Sequence, residues 1–370
     1  MDLLNIANTA QDARNIFEPP EMVHGRVLVC DADVLSYKAC DLEHSVSENI
    51  QELKEMIDIW RKIAGAEFVE LHLTLGTKGG REEIARVKKY QGHRAKDPEK
   101  AERVRDLREW MAQYDTMRTM PCPQFEQEAD DSMAQSMMAL GDKGVLMTID
   151  KDLNMVPGKR LSMATFDIYE QEDGYGKCRL VTREDGSKKL QGSGTSWFWH
   201  QLLMGDAADN IPGLPLATKD LWIKYAPTKR IAELQTRLKS GRMPSGKVIL
   251  GPQRRETLVM FNHAYEKANP KKVGDVLAYK LLKTCGTDRS AYFRCLEAYR
   301  AHYGERYDFV GHDGVAYAEQ TARDMMYEQA RLLWIRREPG QDVVEWFRTF
   351  VNDVPDTTGP GNWLDRQTDP

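Results

Sequence analysis

Two apolar runs, at 27–30 and 145–149, each stop abruptly at an aspartate, Asp31 and Asp150. A third, "AEFVELHLTLGTKGG", alternates Val69, Leu71, Leu73 and Leu75 and closes on glycines. Helical patterns at about 50–64 and 131–140 lie between these runs. Short strands alternating with helices predict an α/β fold with a parallel sheet flanked by helices. Open sheets of this kind bind ligands beyond the carboxyl ends of their strands, so Asp31 and Asp150 are expected at one cleft.

With 370 residues, the chain is long enough for two domains or for one large α/β domain with additions. Its 41% hydrophobic and 29% charged residues exclude a disordered protein. No stretch approaches the roughly 20 apolar residues of a membrane span. The segment "MDLLNIANTAQDARNIFEPP" lacks the pattern of a signal peptide. Six cysteines (Cys30, Cys40, Cys122, Cys178, Cys285, Cys295) form no C-x-x-C pair and no zinc spacing. They read as reduced thiols in a cytoplasmic protein. The net charge of −5 argues against coating nucleic acid by bulk charge, but allows a local basic patch beside an acidic site.

The chain changes character along its length. Residues 1–190 carry the α/β pattern. Within them 78–110 is dense in arginine and lysine and looks helical, with a break near Gly92 and Pro98. Such a charge run is most often a solvated face. Residues 191–350 read as helical, beginning with a helix, a tight loop and a second helix in "GTSWFWHQLLMGDAADNIPGLPLATKDLWIKYA". Residues 351–370 form a polar tail rich in glycine and proline, expected to be flexible.

Four acidic groupings stand out: Asp31; Glu128, Asp130 and Asp131; Asp150 and Asp152; and Asp206 with Asp209. Each has a plain structural reading as a cap, a helix-dipole partner or an Asx turn. Gathered at one cleft, they would repel one another unless cations neutralised them. Carboxylate oxygens suit Mg²⁺ or Mn²⁺ and not zinc, and a pair of such ions is a standard clamp for phosphodiester hydrolysis.

In this order and spacing, Asp31-x-Asp33, "EADD" at 128–131, Asp150-Lys-Asp152 and "GDAADNIPG" at 205–213 resemble the 5′-nuclease superfamily. That superfamily includes flap endonucleases, and the pattern is most similar to the stand-alone 5′→3′ exonucleases of short-tailed bacteriophages. Such enzymes share the tryptophan-rich helix before the Gly-Asp loop, here Trp197, Trp199 and His200. The resemblance covers about 24–225. It implies a PIN-like, Rossmann-like sheet with a helical arch at about 78–110 and a helical DNA-binding part containing a helix–turn–helix variant. Asp31, Glu128, Asp130 and Asp131 would then hold one metal ion, and Asp150, Asp152, Asp206 and Asp209 the second. Lys88, Lys89 and Arg94 would steady the scissile phosphate, with Arg81 also gripping the strand that passes through the arch. Gly205, Asn210 and Gly213 would lie on the duplex backbone, with backbone N–H groups facing phosphates. Trp197 and Trp199 read as core anchors.

The implied activity is 5′→3′ exonucleolytic hydrolysis of duplex DNA and of the RNA strand of hybrids, in phage replication, primer removal or degradation of host DNA. Replisome proteins would be partners and the host cytoplasm the location, with flap endonuclease activity as the alternative. This chain departs from the family at three places. Thr77 stands where relatives carry an acid, and Gln91 where many carry lysine. Pro215 and Leu216 replace glycines in a loop that in relatives holds a monovalent cation such as K⁺, which argues against one here. Two remoter readings stay open. A haloacid-dehalogenase-type phosphatase would use Asp31 and Asp33 but leave 128–131 unexplained. A DNA-binding scaffold without chemistry is supported only by Thr77.

Overall fold

The computed structural model describes residues 20–93 and 97–352, so Arg94 and most of the expected tail lie outside the described residues. Six strands form the central sheet: β1 (Val23–Asp31), β2 (Ala66–Thr74), β3 (Thr119–Gln124), β4 (Gly144–Met147), β5 (Gly158–Leu161) and β6 (Ile168–Gln171). Their order is β3-β2-β1-β4-β5-β6, parallel throughout except for the antiparallel β5–β6 pair. The order reverses at β1, so the crevice beyond the ends of β1 and β4 is the topological switch point where such sheets bind ligands.

The second half of β1 is buried on both sides. Leu28 and Cys30 of β1 join one apolar cluster, with Leu53, Ile57 and Trp60 of the helix Val46–Ile63. Val29 joins the other, with Met133 and Met137 of the helix Ala129–Leu140. Met138 on the far side of that helix is exposed. The alternation read in β2 places Val69, Leu71 and Leu73 in the core, and β2 ends at Thr74, leaving Leu75 outside. The opposite face of β2 is not wet: His72 is also buried, beneath Ala129–Leu140. Helix Val46–Ile63 starts earlier than its apolar period suggests because Ser45 and Glu48 close a capping box.

The basic segment is only partly helical. A short turn of helix, Arg81–Ile84, is followed by irregular chain, and helix Pro98–Met111 begins behind the Asp97 cap. This second helix lays Val104, Leu107 and Met111 against the helices Ala32–Ala39 and Val46–Ile63, which anchors it to the body.

Helix Thr195–Met204 is buried along nearly its whole length, its polar Thr195, Ser196, His200 and Gln201 included. It packs against Asp275–Leu282, Asp288–Tyr303 and Ala322–Leu333. Trp197 and Trp199 are core residues, as their setting in the sequence suggests. Each large apolar side chain buried there contributes about 1.5–3 kcal/mol. The same apolar cluster runs from Val29 and Leu146 of the sheet to Phe198, Tyr292 and Phe347, so the helical part and the sheet share one core. Among the described residues no helix is long and apolar enough to cross a membrane.

Candidate metal and phosphate cleft

A cleft of about 450 Å³ opens at the carboxyl ends of β1 and β4, lined by Asp31, Asp33, Glu128, Asp130, Asp150 and Asp209. Asp31 closes β1 and caps the next helix: it accepts the Val34 N–H at 3.0 Å and the Thr148 hydroxyl at 2.7 Å. Asp150 follows β4 and accepts the Asp152 N–H at 2.8 Å. Glu128 is the N-cap residue of Ala129–Leu140, and Asp130 lies in that helix's first turn. Asp209 arrives on the 205–213 loop. It is tied to the basic segment by hydrogen bonds from Gln91 Nε2 at 2.9 Å and the Tyr90 hydroxyl at 3.3 Å. The Tyr90 hydroxyl also donates to Glu128 at 3.0 Å.

This gathering is electrostatically costly. Burial, and next the charge of Asp33, pushes Asp31 up to about 7. Burial raises Asp130 well above the carboxylate range, with Asp150, Asp31, Glu128 and Asp152 adding to the effect. Burial also raises Glu128 against the pull of Arg81 and Lys78, and raises Asp150 against its hydrogen bond from Asp152. Asp152 is raised well, by burial and then by Asp150. Among the described residues, no three of these acids bring ligand oxygens within 4.8 Å of one another. In their charged forms these acids repel one another, and a shared cation would draw them together.

Asp152 and Asp206 are buried and do not line the cleft. Lys151 Nζ donates to Asp206 at 2.6 Å and lies 3.7 Å from Asp152, while Gln201 donates to Asp152 at 2.5 Å. All the oxygens of this set are hard donors, with no histidine or thiol ligand among them, so the residues fit Mg²⁺ or Mn²⁺.

Three expectations need correction. Asp131 is fully buried and turned from the cleft. Its oxygens take two hydrogen bonds of 2.9 Å from Arg81 and one of 2.9 Å from the Arg336 N–H, which leaves it no free face for an ion. Arg81, expected on DNA, is the buried partner of that pair and also lies 2.9 Å from Glu128. Burying a guanidinium requires such acids, so it cannot meet a phosphate outside. The N–H groups of Gly205 and Gly213 do not face solvent: they donate to the Gln201 carbonyl at 2.6 Å and to Gln329 Oε1 at 3.1 Å. Both glycines have positive φ, and a Cβ on Gly205 would stand 2.2 Å from the Ile211 carbonyl oxygen, so they close the loop.

Asn210 also has positive φ, and its side chain donates to the Lys89 carbonyl at 2.9 Å, stitching the loop to the basic segment. Lys88 and Lys89 are exposed on that segment, just before Tyr90 and Gln91. Thr77 is exposed, bonds to the Phe125 carbonyl and does not line the cleft.

Several residues at the cleft escaped the sequence reading. Lys38, Lys78, Lys100 and Arg108 supply its positive charge. Lys38 Nζ is buried without a hydrogen-bond partner, and burial lowers its pKa to about 8. The available signal was its spacing, two helical turns after Asp31 and so on the same face. Lys78 lies 3.7 Å from Glu128, and Arg108 pairs with Asp33 at 3.0 Å.

No protein-family model matches the chain, and no curated protein matches it. Among solved structures it is similar to a flap endonuclease of bacteriophage T5, a pseudo-enzyme–product complex with DNA and metal ions. That likeness has 15% identity, 83% of this chain and 99% of that chain covered, and a TM-score of 0.37. It is also similar to the 5′-exonuclease of the same phage with divalent zinc ions bound, at 14% identity, 84% and 99% coverage and a TM-score of 0.36. Likenesses this distant carry no functional weight, and what the cleft does must be read from its own side chains.

Proposed function

We propose that the chain is a divalent-metal-dependent 5′→3′ exonuclease acting on duplex DNA. The observation that carries this reading is the convergence of Asp31, Glu128, Asp130, Asp150 and Asp209 on a cleft that also presents an unpartnered lysine amine, Lys38. Asp31, Glu128, Asp130 and Asp150 would hold one ion; Asp150 and Asp209, with Asp152 and Asp206 behind them, the second. Bound there, Mg²⁺ or Mn²⁺ supplies Lewis-acid stabilisation of a phosphodiester and acidifies water.

The chain's own residues do the positioning. Lys38 and Lys78 meet the non-bridging oxygens of the phosphate. Tyr90 and Gln91 hold Glu128 and Asp209 in place by the hydrogen bonds already described. Lys88 and Lys89, with Arg94, guide the strand toward the cleft, and Asn210 fixes their segment to the loop. Holding a terminal nucleotide unpaired costs a few kcal/mol, which contacts with the adjoining duplex offset. The RNA strand of a hybrid is a further substrate, consistent with contacts to phosphates and not to bases. Residues 1–190, joined by Asp206 and Asp209, would carry the chemistry and the rest of 191–350 the duplex grip, beside replisome proteins in a phage-infected cytoplasm.

The test is to incubate the protein with Mg²⁺ and duplexes labelled at the 5′ or the 3′ end. Label released as short products from 5′ ends alone supports the reading. Release from 3′ ends contradicts it, and cutting confined to a 5′-flap substrate replaces the exonuclease with the flap endonuclease.

A further inference from the structure

Away from the cleft, β2 and β3 build a second cluster. His72 and Cys122 are directly paired across the two parallel strands, so both side chains leave the same face. Glu70, two residues before His72, shares that face. One ligand atom from each of the three lies within 4.8 Å of the others, the closest approach of such a trio among the described residues. Helix Ala129–Leu140 covers this face with Ser132 and Ser136, one turn apart. His72 Nδ1 is 2.8 Å from the Ser132 hydroxyl, His72 Nε2 is 3.2 Å from Glu70, and the Ser136 hydroxyl donates to Glu70.

We propose that Glu70, His72 and Cys122 form a binding site for one zinc-class divalent ion, separate from the carboxylate cleft. One imidazole nitrogen, one sulfur and one carboxylate oxygen are the donor set of that class, whereas Mg²⁺ prefers oxygen alone. Ligand distances of about 2.0–2.3 Å put tetrahedral donors roughly 3.5 Å apart, so shifts of about an ångström in Glu70 and Cys122 close the site. The fourth position falls to water. Glu70 retains 14% side-chain exposure and β3 is the sheet edge, so the ion has a way in.

Ser132 makes the histidine ready. While Nε2–H donates to Glu70, the hydroxyl donates to Nδ1. When Nε2 takes the ion, the ring proton sits on Nδ1 and the same hydroxyl turns to accept it. Binding converts the Cys122 thiol to a thiolate and releases its proton to solvent, and no electron is transferred.

Titrating the native chain with Co²⁺, beside Cys40→Ser because that thiol lines the cleft, separates this site from the cleft, since only a thiolate ligand gives a sulfur-to-cobalt charge-transfer band in the near ultraviolet. The band should grow to one equivalent per chain. It should be absent in Cys122→Ser, and Ser132→Ala should weaken binding by about 10–100-fold. A native chain that shows no such band overturns the proposal whatever the variants do, and so does a band that survives in Cys122→Ser. Either result leaves the nuclease reading untouched, since the cleft's ligands are all oxygens.

Discussion

Arg81 grips Asp131 through two hydrogen bonds of 2.9 Å, with side chains 1% and 0% exposed. The same guanidinium also reaches Glu128 and the Trp334 carbonyl, so one cation joins the cleft wall to the end of helix Ala322–Leu333. Arg81→Met leaves two buried acids without their cation and should cost about 3–5 kcal/mol, read as a lowered denaturant midpoint. A variant of native stability would mean that the pair does not hold the wall.

Asp130 makes the opposite prediction. Its carboxylate is half-buried at the cleft among like charges, so Asp130→Asn relieves repulsion. The metal-free variant should be more stable than the native chain, by on the order of 1 kcal/mol. The native chain should gain about 2.7 kcal/mol at Mg²⁺ one hundred times its dissociation constant, and the variant much less. Thermal melts with and without Mg²⁺ check both.

Stability of the metal-free chain should fall as pH rises from 5 to 8. Asp31 is pushed up to about 7, and Asp130, Asp150 and Asp152 are raised too. A carboxylate whose folded value exceeds its unfolded one contributes stability that is complete below the unfolded value and lost as pH rises through the folded value. Acids shifted the other way, such as Glu70 and Asp58, lose their contribution only at lower pH. Urea unfolding across this range should show the decline, and Mg²⁺ should abolish it.

Lys88 and Lys89 are exposed, so alanine at both should change stability by no more than about 0.5 kcal/mol. For each of the two that meets a phosphate, the slope of log affinity against log salt should become shallower by about 0.9 in the variant. Lys38→Met should act on the reaction, lowering turnover on the order of 10²-fold while duplex binding persists. Binding titrations at several salt concentrations and single-turnover cleavage separate the two roles.

The sheet and the outline of the cleft were legible because Asp31 and Asp150 break apolar runs where a strand must end. What stayed hidden depended on partners distant in sequence. Arg81 reads like its basic neighbours, and only the tertiary fold sets Asp131 against it. The Gly213 N–H looked free because the Gln329 side chain that takes it lies 116 residues away, whereas the Gly205 N–H is taken locally, by the Gln201 carbonyl at the end of its own helix. Cys122 fits no linear zinc spacing, since its neighbours come from the register of β2 against β3. Lys38 was the closest miss: helical spacing from Asp31 would have placed it.

Hydrolysis of phosphodiesters by the carboxylate cleft with divalent cations is tested most directly by cleavage of a 5′-labelled duplex. The native chain and Asp130→Asn are measured side by side from zero to millimolar Mg²⁺. Saturable, Mg²⁺-dependent release by the native chain is expected, with a loss of at least about 10²-fold in a variant that still binds the duplex. Cleavage that needs no divalent cation, or that Asp130→Asn carries out at the native rate, would contradict this role for the cleft.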